Sequence, residues 1–174
     1  GKFVKPTKLN LRVFEELRKT SSLPIVAHLM VMDPLSYVEK IIAQIDTFLF
    51  HFESEGDKRE VIKRVKDHGK QVGLVINPET DISKITSYLG LVDFILVMSV
   101  HPGWSGQEFL EQSIQKVNSL AEYKTDYDFE ILIDGGINLE NAKLLENVDV
   151  LSSSSTILKA KNLRRVIEEL KNSK

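Results

Sequence analysis

The 174-residue sequence contains no cysteine, which excludes disulfides and thiolate ligands and leaves His, Asp and Glu to hold any metal ion. It has no apolar run of 18 residues and no secretory h-region, so neither a membrane-spanning helix nor export is indicated. These absences together point to the cytoplasm and away from a membrane. Nor is one sign of charge in excess: 23 Lys and Arg stand against 25 Asp and Glu, a formal net charge of −2 with the signs interspersed. No basic face recommends nucleic acid, and a small soluble substrate is the better partner. No G-x-G-x-x-G occurs, so the dinucleotide fingerprint is missing as well.

What is present, 42% hydrophobic and 28% charged residues, suits one globular domain with a sizeable core. Residues 1–10 show no period and read as a loop, and Leu9–Lys19 then carries apolar residues at helical spacing. Leu23–Val31 is a near-continuous apolar run of strand length, which predicts burial on both faces. Asp33-Pro34 supplies an N-cap and a first-turn proline for a helix to about Ile45. The unit then repeats, with strands at Thr47–Phe52, Gln71–Asn77, Val92–Val100, Phe129–Asp134 and Val148–Leu151. The intervening helices are expected over Lys58–His68, from Thr80 or Asp81, from about Gln107 to Tyr123, from Asn138 and over Asn162–Lys171.

Strict strand–helix alternation with apolar strands predicts a parallel sheet covered by helices. Polar and glycine residues gather after most of the strands: His28, His51, Asn77, the His101–Gln107 loop, Asp134-Gly135-Gly136 and Ser152–Ser155. A barrel puts its chemistry at the C-terminal ends of many strands at once, so a barrel fits better than a doubly wound sheet. The stretch Val97–Phe109 reads as strand, glycine-containing lid and helix, with His101, Pro102, Trp104, Ser105 and Gly106 in the lid. Taken alone, His28 could cap a core, Asp134 could be a turn aspartate, and Met30 and Met98 could be plain packing. His51 and Glu53 read as strand-end residues supporting others, and His68 as a cation at a helix end.

Four stretches in order resemble the strand-end signatures of ribulose-phosphate 3-epimerase: His28-Leu29-Met30-Val31, Asn77-Pro78-Glu79-Thr80, Val97–Gln107 and Asp134-Gly135-Gly136-Ile137. Gly1-Lys2-Phe3-Val4 is similar to the segment after that family's second strand. The resemblance implies a (β/α)8 TIM barrel of the ribulose-phosphate-binding type, with six strands readable in a single domain over 1–174. The match at Gly1–Val4 places the family's first two strands before Gly1, and because a barrel short of two adjacent strands would leave unpaired edges and an open interior, the sequence is expected to be incomplete at its N-terminus.

By the same resemblance the expected reaction is C3 epimerisation of ribulose 5-phosphate and xylulose 5-phosphate in the pentose phosphate pathway, by 1,1-proton transfer. Asp134 would be one acid/base and a metal ligand, and His28 a second ligand; the other aspartate and histidine belong to the missing strand. Zinc is the first metal for such a His/Asp set, with iron, manganese or cobalt behind it. Met30 and Met98 would line the substrate pocket. Gly103, Gly136 and Ser155 would help hold the phosphate, alongside Gly135 and Ser154 in the same loops. Ser154 stands where the family has glycine, Trp104-Ser105 where it has Phe-Gly, and His101 where it has Asn, Asp or Glu. A homo-oligomer is expected. The alternatives are an epimerase of a ketohexose 6-phosphate such as allulose 6-phosphate, and a non-catalytic remnant that binds a sugar phosphate. A decarboxylase or aldol-type lyase is a third possibility, and the lack of a strand-end lysine counts against a lyase.

Overall fold

Six parallel strands alternate with helices in the computed structural model, which describes Val4 and residues 10–104 and 106–173. Helix α1 (Arg12–Thr20) leads into β1 (Val26–Leu29), α2 (Leu35–Ile41) into β2 (Thr47–His51), and α3 (Lys58–Asp67) into β3 (Gln71–Ile76). Two 3-10 helices, Ile82–Lys84 and Thr86–Leu91, precede β4 (Phe94–Met98). Helix α4 (Gln112–Glu122) leads to β5 (Glu130–Asp134), a 3-10 helix (Asn141–Leu144) to β6 (Val150–Ser152), and α5 (Ser155–Leu158) and α6 (Leu163–Lys171) complete the order. Most of the opening loop expected over residues 1–10 lies outside the described residues, as does Ser105 of the lid.

Every strand pairs in parallel with the next in sequence, giving the sheet order β1-β2-β3-β4-β5-β6. A doubly wound sheet reverses its strand order at a switch point; an unreversed order keeps every crossover on one face and lets the sheet curl toward a barrel. Side-chain alternation follows the curl. Phe48, Phe50, Leu74, Ile76, Ile95, Val97, Ile131 and Ile133 pack in the main core cluster, with Val38, Ile41, Val61, Val65, Val117 and Leu120 of the helices. The opposite parity, Leu49, Val75, Leu96, Met98 and Leu132, forms a separate cluster on the concave face, with Met30 and Phe94 against it.

The burial on both faces expected of Leu23–Val31 is met for Ala27 and Leu29 but not for all of β1, whereas every residue of the neighbouring β2 is buried. Val26 of β1 is 50% exposed and Val150 of β6 is 41% exposed, because among the described residues these strands pair on one side only.

Several helices are shorter than the periodicity predicts, for local reasons. The segment expected as a helix from Asn138 is a 3-10 turn over Asn141–Leu144, with the Asn138 side chain accepting from the backbone N–H of Glu140 and Asn141 at its start. The helix after the lid starts at Gln112 and not at Gln107, since the Leu110 N–H donates to the Ser99 carbonyl. The short helix expected from Thr80 or Asp81 is 3-10, opened by Asp81, which accepts from the Ser83 N–H. The N-caps of α3 and α6 are side-chain oxygens, Asp57 accepting from the Arg59 N–H and Asn162 from the Arg165 N–H.

At the N-terminal end of the sheet one device recurs. Asp46, Asp93 and Asp149 precede β2, β4 and β6, and each accepts the backbone N–H of Ile25, Val72 or Ile131 at the entry to the preceding strand. In return the backbone N–H of Asp46, Asp93 and Asp149 donates to the carbonyls of those same three residues. These reciprocal pairs fix strand register two by two.

Candidate active site

The C-terminal end of the sheet carries a cavity of about 260 Å³. Asp134, the last residue of β5, faces it from the concave side; Met98 is its register partner on β4 and Ser152 its partner on β6. Ser99 holds the strand end: its N–H donates to the Asp134 carbonyl and its fully buried hydroxyl to the Gly135 carbonyl at 2.7 Å. Asp134 is the only charged side chain lining the cavity among the described residues.

Most expected site residues converge here. Met30, Met98, Gly103, Gly135, Gly136, Ser154 and Ser155 line the cavity, together with Trp104 and Gly106 of the lid. His28, His101 and Pro102 do not line it; the His101 ring is exposed, with Nδ1 3.0 Å from Glu79 Oε1. Val100, Gln107, Ile137 and Ser152, which lie within the motifs but to which no role is assigned from sequence, also line it. Gln107 is the informative one, since its Nε2 donates to the carbonyls of His101 and Trp104 and ties the two limbs of the lid together. An amide spaced to recross its own loop is the signal that could have found it.

The paired glycines have a more specific role than loop freedom. A Cβ on Gly136, at φ +64°, would lie 2.8 Å from the Phe109 N and 2.9 Å from the Gln107 O. A Cβ on Gly135, at φ +128°, would lie 2.6 Å from a Val100 methyl. The chain after the lid packs onto the Asp134 turn so closely that no side chain fits. Ser154, where a glycine was the expectation from resemblance, has an ordinary negative φ and needs none.

Across the concave face, His28 of β1 brings Nδ1 to 3.7 Å from Asp134 Oδ2. That gap is too long for a hydrogen bond. One metal ion with bonds of about 2.0–2.2 Å to nitrogen and oxygen would span it. The residues present therefore fit as two ligands, although no group of three or more His, Asp or Glu is placed to hold a metal among the described residues.

Behind His28 lies His51 of β2, fully buried, with the two Nε2 atoms 2.9 Å apart. His51 Nδ1 is 3.4 Å from Glu53 Oε2, and Glu53 Oε1 accepts from the Asn77 N–H and the Thr80 hydroxyl. Burial pushes the His51 pKa down. Burial opposes the Glu53 charge, but donors from His51, Thr80 and Asn77 outweigh it and hold the carboxyl below its usual range. Lys116 of α4 reaches the β3 end without entering the cavity, its ammonium donating to the carbonyls of Asn77, Pro78 and Thr80. His68 stands apart, its Nδ1–H donating to the Arg64 carbonyl near the end of α3.

The family described as the ribulose-phosphate 3 epimerase family matches residues 1–158. The ribulose-phosphate 3-epimerase of Aquifex aeolicus is 35% identical over 176 residues, covering 98% of this chain and 79% of that protein. That of Methanocaldococcus jannaschii is 31% identical, covering 98% and 74%. Among solved structures, KGPDC from Streptococcus mutans matches with a TM-score of 0.73 at 17% identity, covering 93% of this chain and 77% of that one. At that identity the likeness shows the fold alone, and the fold is that of a (β/α)8 barrel, six of whose strands are described here.

Proposed function

The chain belongs to the ribulose-phosphate 3-epimerase family, and from that premise we propose that it takes part in the interconversion of ribulose 5-phosphate and xylulose 5-phosphate, with Asp134 as one of the two proton-transfer groups. The observation that carries this reading is the lone carboxylate of Asp134 in the wall of a small cavity, paired across the concave face with His28. A ketone acidifies the hydrogen on the neighbouring carbon, so a carboxylate against that carbon can remove its proton and leave an enediolate. Return of a proton on the opposite face inverts the centre. A divalent cation, zinc first and iron, manganese or cobalt behind it, would be held by His28 and Asp134 and would supply positive charge to the sugar oxygens. Met30 and Met98 supply the apolar wall against the carbon skeleton.

No lysine or arginine lines the cavity among the described residues, so the phosphate is met by backbone N–H groups. Gly103, Gly136, Ser154 and Ser155 line the cavity and are the residues proposed for it. The second acid/base belongs, in this proposal, to further strands of the same polypeptide that close the gap between β1 and β6. An intact mass for the cellular protein of roughly 5 kDa above 19.8 kDa, the size of the missing barrel units, would support that closure; a mass equal to 19.8 kDa would overturn it. Homo-oligomeric assembly and a cytoplasmic location belong to the same reading.

The decisive test is incorporation of solvent deuterium at C3 of ribulose 5-phosphate in heavy water. Exchange by the wild type that Asp134→Asn abolishes is the expected result. Faster turnover of allulose 6-phosphate would move the substrate to the ketohexoses, and binding without exchange would leave a non-catalytic sugar-phosphate site.

A further inference from the structure

The row Glu53, His51, His28, Asp134 crosses the concave face from β2 to β5 through three close approaches, 3.4, 2.9 and 3.7 Å. The two imidazoles meet edge to edge. Their planes differ by 21° and their centroids are 5.1 Å apart, about the Nε2–Nε2 distance plus two ring radii, which leaves no room for face-to-face stacking. An in-plane N–H···N hydrogen bond of ordinary length joins them. Its direction follows from the far end. Glu53 Oε1 is already occupied by the Asn77 N–H and the Thr80 hydroxyl, and Oε2 faces His51 Nδ1. A carboxylate only accepts, so the His51 proton sits on Nδ1 and its Nε2 carries a lone pair. Two lone pairs cannot face each other at 2.9 Å, so His28 donates from Nε2 and its own lone pair is left on Nδ1, toward Asp134.

We propose that Glu53 and His51 are positioning residues that lock His28 in the tautomer whose Nδ1 faces Asp134 as a metal ligand. The inference rests on the epimerase reading for the identity of the site, but its chemistry is that of any imidazole ligand, which needs a fixed tautomer and a partner on its other nitrogen. Three features of the fold build it. The parallel register puts Leu49 beside His28, so His51, two residues further, reaches past the end of β1 with the same parity. Burial of His51 keeps water from competing for its nitrogens. The Asn77 turn after β3 fixes the carboxylate.

The test reads the metal-free full chain with ¹⁵N-labelled histidine, by long-range nitrogen–proton correlation of the side chains. The expected wild-type result is His51 protonated on Nδ1 and His28 on Nε2; the reverse order on either ring overturns the proposal. His51→Phe removes the acceptor and is expected to give a tautomer mixture at His28 and a zinc affinity, measured calorimetrically, about 10- to 100-fold weaker. His51→Gln returns an oxygen acceptor near the Nε2 position and is expected to restore both. Glu53→Ala frees His51 and is expected to mix both rings. Equal zinc affinity in wild type and His51→Phe, or His51→Gln no better than His51→Phe, overturns the proposal. If the Phe variant does not fold, the wild-type spectrum and the Gln variant still decide. Neither readout involves a sugar phosphate, so the two readings fail separately. The expected tautomers without C3 exchange would support the relay and remove the reaction, and reversed tautomers with exchange would do the opposite.

Discussion

At the N-terminal end of the sheet, Asp46, Asp93 and Asp149 each accept a backbone N–H at 2.7 or 2.8 Å. A cation stands beside each one: Arg18, Lys66 and Lys124 respectively. At the C-terminal end, Asp134 has only the His28 ring at 3.7 Å opposite its carboxylate among the ion pairs described, and it faces a cavity. The same residue type serves register at one end and, in the proposed reaction, chemistry at the other, and what separates the uses is whether the folded chain itself supplies the donors. A barrel divides its work in this way, stability below and reaction above.

The largest effect expected from breaking the comparison is on rate. Asp134→Asn should lower C3 exchange by about 10²- to 10⁴-fold, the range of a lost general base, with a melting temperature close to wild type. An equal fall for Asp149→Asn at full occupancy of the folded state would erase the distinction between the ends. Next in size is Gly136→Ala, which forces a side chain into the backbone of Gln107 and Phe109. It should cost about 2–3 kcal/mol in chemical denaturation and raise the KM for the sugar phosphate, because the residues proposed for the phosphate and the lid anchor move together.

Asp46→Asn should cost about 1–2 kcal/mol through its charge-assisted hydrogen bonds, with turnover per folded molecule unchanged. The Ile25 N–H and the Arg18 guanidinium hold the Asp46 carboxyl below the usual carboxylate range. The stability it contributes is therefore present above about pH 4 and is lost as the pH falls through the lowered value. Melting temperature against pH should fall less steeply on the acid side in the asparagine variant than in wild type. The smallest effect belongs to neither end. Lys63→Ala removes an exposed i,i+4 pair with Asp67 and should change stability by less than about 0.5 kcal/mol.

Much of this is legible in the linear sequence. Apolar runs bounded by Gly, Pro and Asp mark all six strands, since a strand's burial is written into consecutive residues. Asp134, Met98, the paired glycines and the Ser154-Ser155 step stand out as motifs, and all line one cavity. The helix lengths are less legible, because the Leu110 N–H chooses a partner just past the end of β4 that no periodicity reveals. The aspartate clamps are hidden for a similar reason: each aspartate bonds to a strand 18 to 21 residues earlier. Gln107 reads as part of a motif, not as the tie across the lid.

The sequence alone determined the alternation of strands and helices, the end of the sheet that carries polar residues, and the residue types available for chemistry. Those follow from local periodicity and from which side chains can ligate or transfer a proton. The tertiary structure decided which of them meet. His28 and Asp134 come within 3.7 Å because four parallel registers and a curl bring β1 and β5 to face each other, and His51 joins them because it lies two residues past the register partner of His28. Distances between strands depend on the sum of many registers and on the curvature of the whole sheet, a property of packing that no single stretch of sequence carries.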